Sequence, residues 1–363
     1  MTSRERLLTA LERRQPDRLP VCETTFWPET IDRWHKEGLP ADVTLDNREV
    51  LDAYFGLDPI ACINDLFDPS FGLPARTLEQ TAEYRVYVDG YGKTVKEWLS
   101  GSNPPSIIEP ALRTPADWER VKPRLAAGAD KFNNPAADRQ YHAARAAGHF
   151  MAITPPDPMW FVVYLTMGFE HGLMAMAREP KLIEDMAATY TDYLLAMLQM
   201  THERSYRFDA IWFWSDLCYA NGMLFSPQAA RRFAVPHWQR LGQFAREHGM
   251  KFIWHCDGNV SRLIPLLLEA GLDAIHPLEA RAGNDVREYK RLYGDRLCLI
   301  GNINADVVAT NDPAKIEQEV AAKIPLASAG GGYLYNIDHS VPPTVSLTSY
   351  RHLLECVRKY GQR

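Results

Sequence analysis

The chain has 363 residues, 46% of them hydrophobic and 24% charged, with a formal net charge of −6. That is the composition of a globular protein with a sizeable core, in one large or two average domains. It argues against a basic nucleic-acid surface. The longest apolar run, "MWFVVYLTMG" (159–168), is far short of the ~20 residues that span a bilayer.

The opening residues "MTSRERLLTALERRQPDR" are charged throughout and lack the apolar heart of a secretion signal, so a cytoplasmic location is expected. Cys22, Cys62, Cys218, Cys256, Cys298 and Cys356 are scattered without a CxxC pair. They read as reduced thiols, mostly small core residues.

In chain order, Thr2 and Glu5 have capping-box spacing ahead of Leu7, Leu8 and Leu11, which predicts an N-terminal helix. "LPVCET" (19–24) predicts a first strand. Short helices follow at 28–38 and 48–56, then a second strand at 60–65. Two alternating runs around Asp89-Gly90 (82–99) predict a hairpin. A connector containing Pro104, Pro105, Pro110 and Pro115 follows, and 82–148 reads as an insertion in a single domain spanning 1–363. From residue 149 strands alternate with helices. Strands are predicted at 149–154, 209–214, 251–256, 273–279, 297–303 and 333–337. Helices are predicted in two long patterns up to about 206, then at 226–248, 262–271, 285–294, 312–327 and 345–360. "AGGGYL" (329–334) precedes its strand, so its glycines read as a tight turn, not a phosphate cradle.

Eight strands, most followed by helices, predict an α/β fold: a (β/α)8 TIM barrel with N-terminal helices and a β-hairpin insertion. An open doubly wound sheet is the alternative, weakened by the lack of GxGxxG after the first strand.

Barrel enzymes place their chemistry at the C-terminal strand ends. Those ends here carry Glu23, Asn64, Asp65, Asp157, Asp216, His255, Cys256, Asp257, Glu279, Asn302, Asn304, Asn336, Asp338 and His339. Any one of them could cap a helix or shape a turn, but together they contrast with apolar strand bodies. Within "FIWHCDGNV" (252–260), alternation turns His255 and Asp257 one way and Trp254 and Cys256 the other. His255, Asp257 and Glu279 are candidate zinc ligands with an open fourth position. His339 is a candidate acid or base, or a further metal ligand, and Asp216 and Asp338 are catalytic candidates. Asp65, Asp157, Asn302 and Asn336 are candidate substrate contacts. Trp27, Trp160, Phe161, Trp212 and Trp214 are candidate pocket walls, although large apolar residues at such positions are mostly core.

Four stretches carry a family resemblance over nearly the whole chain: "ERLLTALERRQPDRLPV", "LFSPQAARRFAVPHWQRLGQFAREHGMKFIWHCDGNVSRLIPLLLEAGLDAIHPLE", "YGDRLCLIGNINADVV" and "GGGYLYNIDHSVPPTVSLTSYRHLLECVRKYG". The chain resembles the uroporphyrinogen decarboxylase superfamily, which also holds corrinoid- and coenzyme-linked methyltransferases. The resemblance implies a (β/α)8 barrel. True decarboxylases carry an arginine-bearing "RQAGR" after the first strand, where this chain reads "CETTFWPETIDRW". They also carry a Gly-His-Gly before the last strand, where this chain has Gly330, Gly331 and Gly332. The methyltransferase branch carries His-x-Cys at the fifth strand and a further cysteine near the last, together binding zinc. His255 matches that histidine, Asp257 stands in place of the cysteine, and 329–343 holds no cysteine. The resulting expectation is a methyltransferase acting with a corrinoid, borne by a partner protein, or with a small methyl acceptor. A decarboxylase of a small carboxylated substrate and a barrel that only binds are the alternatives. Zinc and a homodimer are further expectations.

Overall fold

The computed structural model describes residues 1–100 and 105–362, so Pro104 of the proline-rich connector lies outside the described residues. Strand β1 (Ile60–Ile63) is followed by β2 (Arg76–Gln80), β3 (Tyr84–Val88), β4 (Thr94–Trp98) and β5 (Ser106–Glu109). Then come β6 (Phe150–Ile153), β7 (Ala210–Trp214), a small ribbon of β8 (Cys218–Tyr219) and β9 (Gly222–Met223), β10 (Lys251–His255), β11 (Ala274–His276), β12 (Cys298–Ile300) and β13 (Tyr333–Leu334).

Seven of these strands form one parallel sheet in the order β1-β6-β7-β10-β11-β12-β13, with helices between successive strands. The sheet curls as a (β/α)8 barrel does. Its interior is filled by Trp212, Ile253, Cys298, Ile300 and Leu334, and Leu7, Ala10 and Leu11 of the first helix pack into it. That helix starts at the Thr2–Glu5 capping box read from the sequence.

The predicted strand at 19–24 is not a full strand. Cys22 N–H donates to Tyr335 O at 3.0 Å, Tyr335 N–H to Pro20 O at 3.0 Å, and Asp58 N–H to Val21 O at 2.7 Å. Beyond these bonds side chains replace the ladder. Thr24 N–H donates to Asn336 Oδ1 at 3.1 Å, and Ile337 N–H to Glu23 Oε1 at 3.3 Å. The stave therefore spans the gap between β13 and β1 without regular pairing to either.

Other departures have local causes. The predicted helix over 226–248 is two helices, Pro227–Phe233 and Val235–Glu247, because Pro236 lacks the N–H a continuous helix would need. The hairpin loop is longer than Asp89-Gly90: Val88 pairs with Thr94, and Asp89 Oδ1 accepts from the N–H groups of Tyr91, Gly92 and Lys93. The hairpin also sits inside a four-stranded antiparallel sheet, β2-β3-β4-β5, that starts six residues before the expected insertion. "AGGGYL" is a turn as expected. Gly330, Gly331 and Gly332 all have positive φ, and a Cβ on Gly331 would collide with the Arg14 carbonyl.

Glu23 points away from the barrel interior. Burial pushes its carboxyl up to about 8, against bonds from Ile337 N–H and the hydroxyls of Tyr350 and Tyr335. Between its ordinary value of 4.5 and about 8, the folded chain holds a proton that the unfolded chain has released, so stability falls as pH rises through that window. Glu23→Gln is therefore expected to raise Tm by about 2–4 °C at pH 8 and to leave it unchanged near pH 5. Equal shifts at both pH values in thermal melts would overturn this account.

Candidate functional site

Parallel register builds the site. His255 and His276 end adjacent strands and are directly paired, and His255 also pairs with Trp214 at the end of β7. All three follow interior residues of their strands by two positions, so they face the barrel axis. Trp254 and Cys256 face the other way and are fully buried.

Around His255 the polar groups converge. Its Nε2 lies 3.5 Å from Asp216 Oδ1 and 3.9 Å from Asp257 Oδ1. His339 Nε2 lies 3.9 Å from Asp257 Oδ2. The backbone N–H of Asp257 donates to Asp216 Oδ1 at 2.9 Å, which holds the two carboxylates together. The Trp214 ring stacks on the imidazole of His255 at 4.3 Å.

Electrostatics follow from this crowding. Burial opposes charge on His255, but its hydrogen bond to Asp216 and the nearby carboxylates lift it above the ordinary histidine value. Burial and the neighbouring histidines hold His276 well below that value, so it is neutral. Burial raises the Asp216 carboxyl, but His255 outweighs it and the net shift is downward. Burial and the Asp216 charge push Asp257 up, against the pull of His255 and His339.

The other sequence-predicted residues are placed as follows. Glu279 ties two loops together, accepting from Gly258 N–H of the loop after β10 at 2.7 Å and pairing with Arg281 of its own loop. Asp338 accepts from Ala280 N–H at 2.7 Å and Ala305 N–H at 2.8 Å, and burial raises its carboxyl to about 6. Asn336 Nδ2 lies 2.9 Å from His276 Nε2. Asp157 is fully buried, and its carboxylate is filled by the N–H groups of Met159 and Trp160, the Ser215 hydroxyl and the Trp238 indole. Asn302 is a buried staple that accepts from Val286 N–H and donates to the carbonyls of Leu278 and Asn284. Asp65 lies apart, against Pro155 and Pro156. His276 was not singled out as a site residue, and Trp214 only as one of five aromatics that could wall a pocket. Their signal was present: inward positions at the ends of strands adjoining that of His255.

Two cavities open here. One of about 860 Å³ runs from Trp214 and Thr24 past Cys62 to Arg48 and His149, where the first stave and β1 lack a ladder. It is large enough for a ligand of cofactor or drug size. A smaller one of about 180 Å³ lies between His339, Asp338, Glu279 and Trp27. Arg48 and Arg281, which line these cavities, are each committed to a carboxylate, Asp52 and Glu279 respectively.

A divalent cation fits the donor set in number and spacing. Ligand atoms of Asp216, His255 and Asp257 all lie within 4.8 Å of one another. Asp257 Oδ1 is buried with no hydrogen-bond partner, which is a costly state for a carboxylate oxygen unless something neutralises it. One imidazole and two carboxylates suit zinc or a harder divalent ion.

Comparison with known proteins agrees with the fold. The uroporphyrinogen decarboxylase (URO-D) family profile matches residues 97–360. A uroporphyrinogen decarboxylase from Chlorobium luteolum is 24% identical over 194 residues, covering 51% of each chain. One from Chromohalobacter salexigens is 25% identical over 242 residues, covering 60% of this chain and 64% of its own. The chain thus spans about half the length of the first of these relatives in the match. A solved methyltransferase from Methanosarcina mazei superposes over 99% of both chains with a TM-score of 0.68 at 18% identity, a likeness of fold. With the family profile covering well over half of its length, the chain belongs to the uroporphyrinogen decarboxylase (URO-D) family.

Proposed function

We propose that this protein is a methyl-transferring member of its family, acting on a small neutral or cationic acceptor, with the methyl group delivered from a corrinoid carried by a partner protein. The single observation that carries this reading is the Asp216–His255–Asp257 cluster at the barrel mouth. Two adjacent carboxylates repel a polycarboxylate substrate, and the arginines nearest the cavities are already paired. The likeness of fold to a methyltransferase is compatible with it.

In this reading Asp216, His255 and Asp257 would hold a zinc ion, which when bound supplies Lewis acidity to the acceptor heteroatom. Trp214 stacks on the His255 ring and also lines the larger cavity. A corrinoid on the partner would supply the methyl group as an electrophile to the acceptor's lone pair and would keep the electron pair of the bond it gives up. A proton released by the acceptor passes to His339, which is half-exposed and faces Asp257 at 3.9 Å.

His255→Ala is expected to lose zinc that wild type holds at about one equivalent per chain. Elemental analysis checks this, and metal retained in the variant removes His255 from the ligand set. The functional test is methyl transfer from a methylated corrinoid to amine, thiol and hydroxyl acceptors. Efficient release of carbon dioxide from uroporphyrinogen, with no methyl transfer, would overturn the proposal in favour of decarboxylation.

A further inference from the structure

His255 is tied to a chain of hydrogen bonds that runs away from the carboxylates. Its Nδ1 lies 2.8 Å from His276 Nδ1. The Nε2 of His276 lies 2.9 Å from Asn336 Nδ2 and 3.3 Å from Thr24 Oγ1. Only one hydrogen can sit between the two Nδ1 atoms, so one ring must donate and the other accept.

Asn336 decides which. Its Oδ1 accepts from Thr24 N–H at 3.1 Å, and its Nδ2 donates to Ile337 O at 2.8 Å. Flipping the amide would set oxygen against oxygen and N–H against N–H at two backbone groups, so its orientation follows from its partners. The second hydrogen on Nδ2 has His276 Nε2 at 2.9 Å and Thr24 Oγ1 farther off at 3.4 Å, and at 2.9 Å two facing donors would clash, so His276 Nε2 accepts. His276 therefore carries its hydrogen on Nδ1 and donates it to His255 Nδ1. When His255 is neutral, its hydrogen is therefore on Nε2, facing Asp216 and Asp257.

We infer that Asn336 and His276 form a tautomer latch that presents an N–H, not a lone pair, from His255 to the carboxylate pair, so that a metal at His255 must reverse the latch to bind. A metal needs the Nε2 lone pair, which moves the hydrogen to Nδ1 of His255. His276 must then accept at Nδ1 and carry its hydrogen on Nε2, against the Asn336 N–H and with only Thr24 Oγ1 to receive it. Asn336 and His276 are positioning residues in this scheme: they act on the cluster through His255. The inference rests on His255 as a ligand only for its metal arm, and its tautomer arm needs no metal.

Asn336→Asp replaces the donor facing His276 by an acceptor and should reverse the latch. Asn336→Leu removes the donor without adding charge, which separates the tautomer effect from simple attraction of a cation. Long-range nitrogen–proton NMR spectra of zinc-free protein carrying isotope-labelled histidine report the tautomers directly. Each ring is assigned by loss of its signal in the His255→Gln and His276→Gln variants. The expected result is Nε2–H on His255 and Nδ1–H on His276 in wild type, both reversed in Asn336→Asp. Zinc affinity by competitive titration is expected to rise about ten- to hundred-fold in Asn336→Asp and by a smaller factor in Asn336→Leu. Wild-type His255 with its hydrogen on Nδ1 would overturn the latch, as would unchanged zinc affinity in both variants. If Asn336→Asp does not fold, the neutral Leu variant decides. Absence of methyl transfer in wild type would count against the proposed activity and leave the tautomer result standing.

Discussion

Asp257→Asn is expected to lower turnover by about a hundred- to a thousand-fold while leaving Tm of the metal-free protein unchanged or higher. Both halves follow from one feature. Asp257 is largely buried beside Asp216, its Oδ1 has no hydrogen-bond partner, and burial and the neighbouring charge raise its carboxyl. Removing that charge relieves repulsion with Asp216, so folding gains or breaks even. The same change removes one donor atom of the candidate metal site and weakens the field acting on His339. The informative experiment pairs a thermal melt with a turnover assay on the same preparation. Parallel loss of stability and activity would instead make Asp257 a structural anchor.

The largest stability effect is expected one residue further on. Gly258 has φ of +86°, and a Cβ there would lie 2.7–2.8 Å from the backbone of Tyr219 in β8. The left-handed backbone costs about 1–2 kcal/mol for an L side chain. Forcing the ribbon away adds about 1–3 kcal/mol. Gly258→Ala should therefore destabilise the protein by about 2–5 kcal/mol in a denaturant melt. It should also disturb the site, because Gly258 N–H holds Glu279 and its carbonyl receives Asn284 Nδ2. Gly249→Ala is the control: φ is +67° there, but nothing lies within 4 Å of the new Cβ. It should show the backbone cost alone, and an equal loss in both variants would mean that the Tyr219 contact is readily relieved.

Strand bodies and helix starts were legible in the sequence because their signals are local. The run over 251–255 became β10, the alternation over 84–98 became β3 and β4, and Thr2 with Glu5 made the capping box. The first stave failed for a non-local reason. "LPVCET" has strand composition, but Glu23 and the side chain of Asn336 take the backbone partners that a ladder would have used. The break before Pro236 was readable, since proline in a helical pattern is a known interruption.

The site was legible only as a set of candidates. His255, Asp257 and Asp216 meet, whereas Asp157 and Asn302, equally polar strand-end residues, close loops instead. Nothing in local spacing distinguishes these outcomes. His276 could have been found by applying alternation to two adjacent strands at once.

What the sequence by itself determined was the alternation of strands and helices, the outward turn of Cys256, and the polar character of one barrel end. Those properties depend on neighbours within a few residues. Which carboxylate stands beside His255, and which ring nitrogen of His255 bears the hydrogen, was decided only by the tertiary structure. The first depends on parallel register between β7 and β10. The second depends on Asn336 meeting Thr24 across 312 residues of chain, a contact that exists only once the curled sheet brings its two ends together.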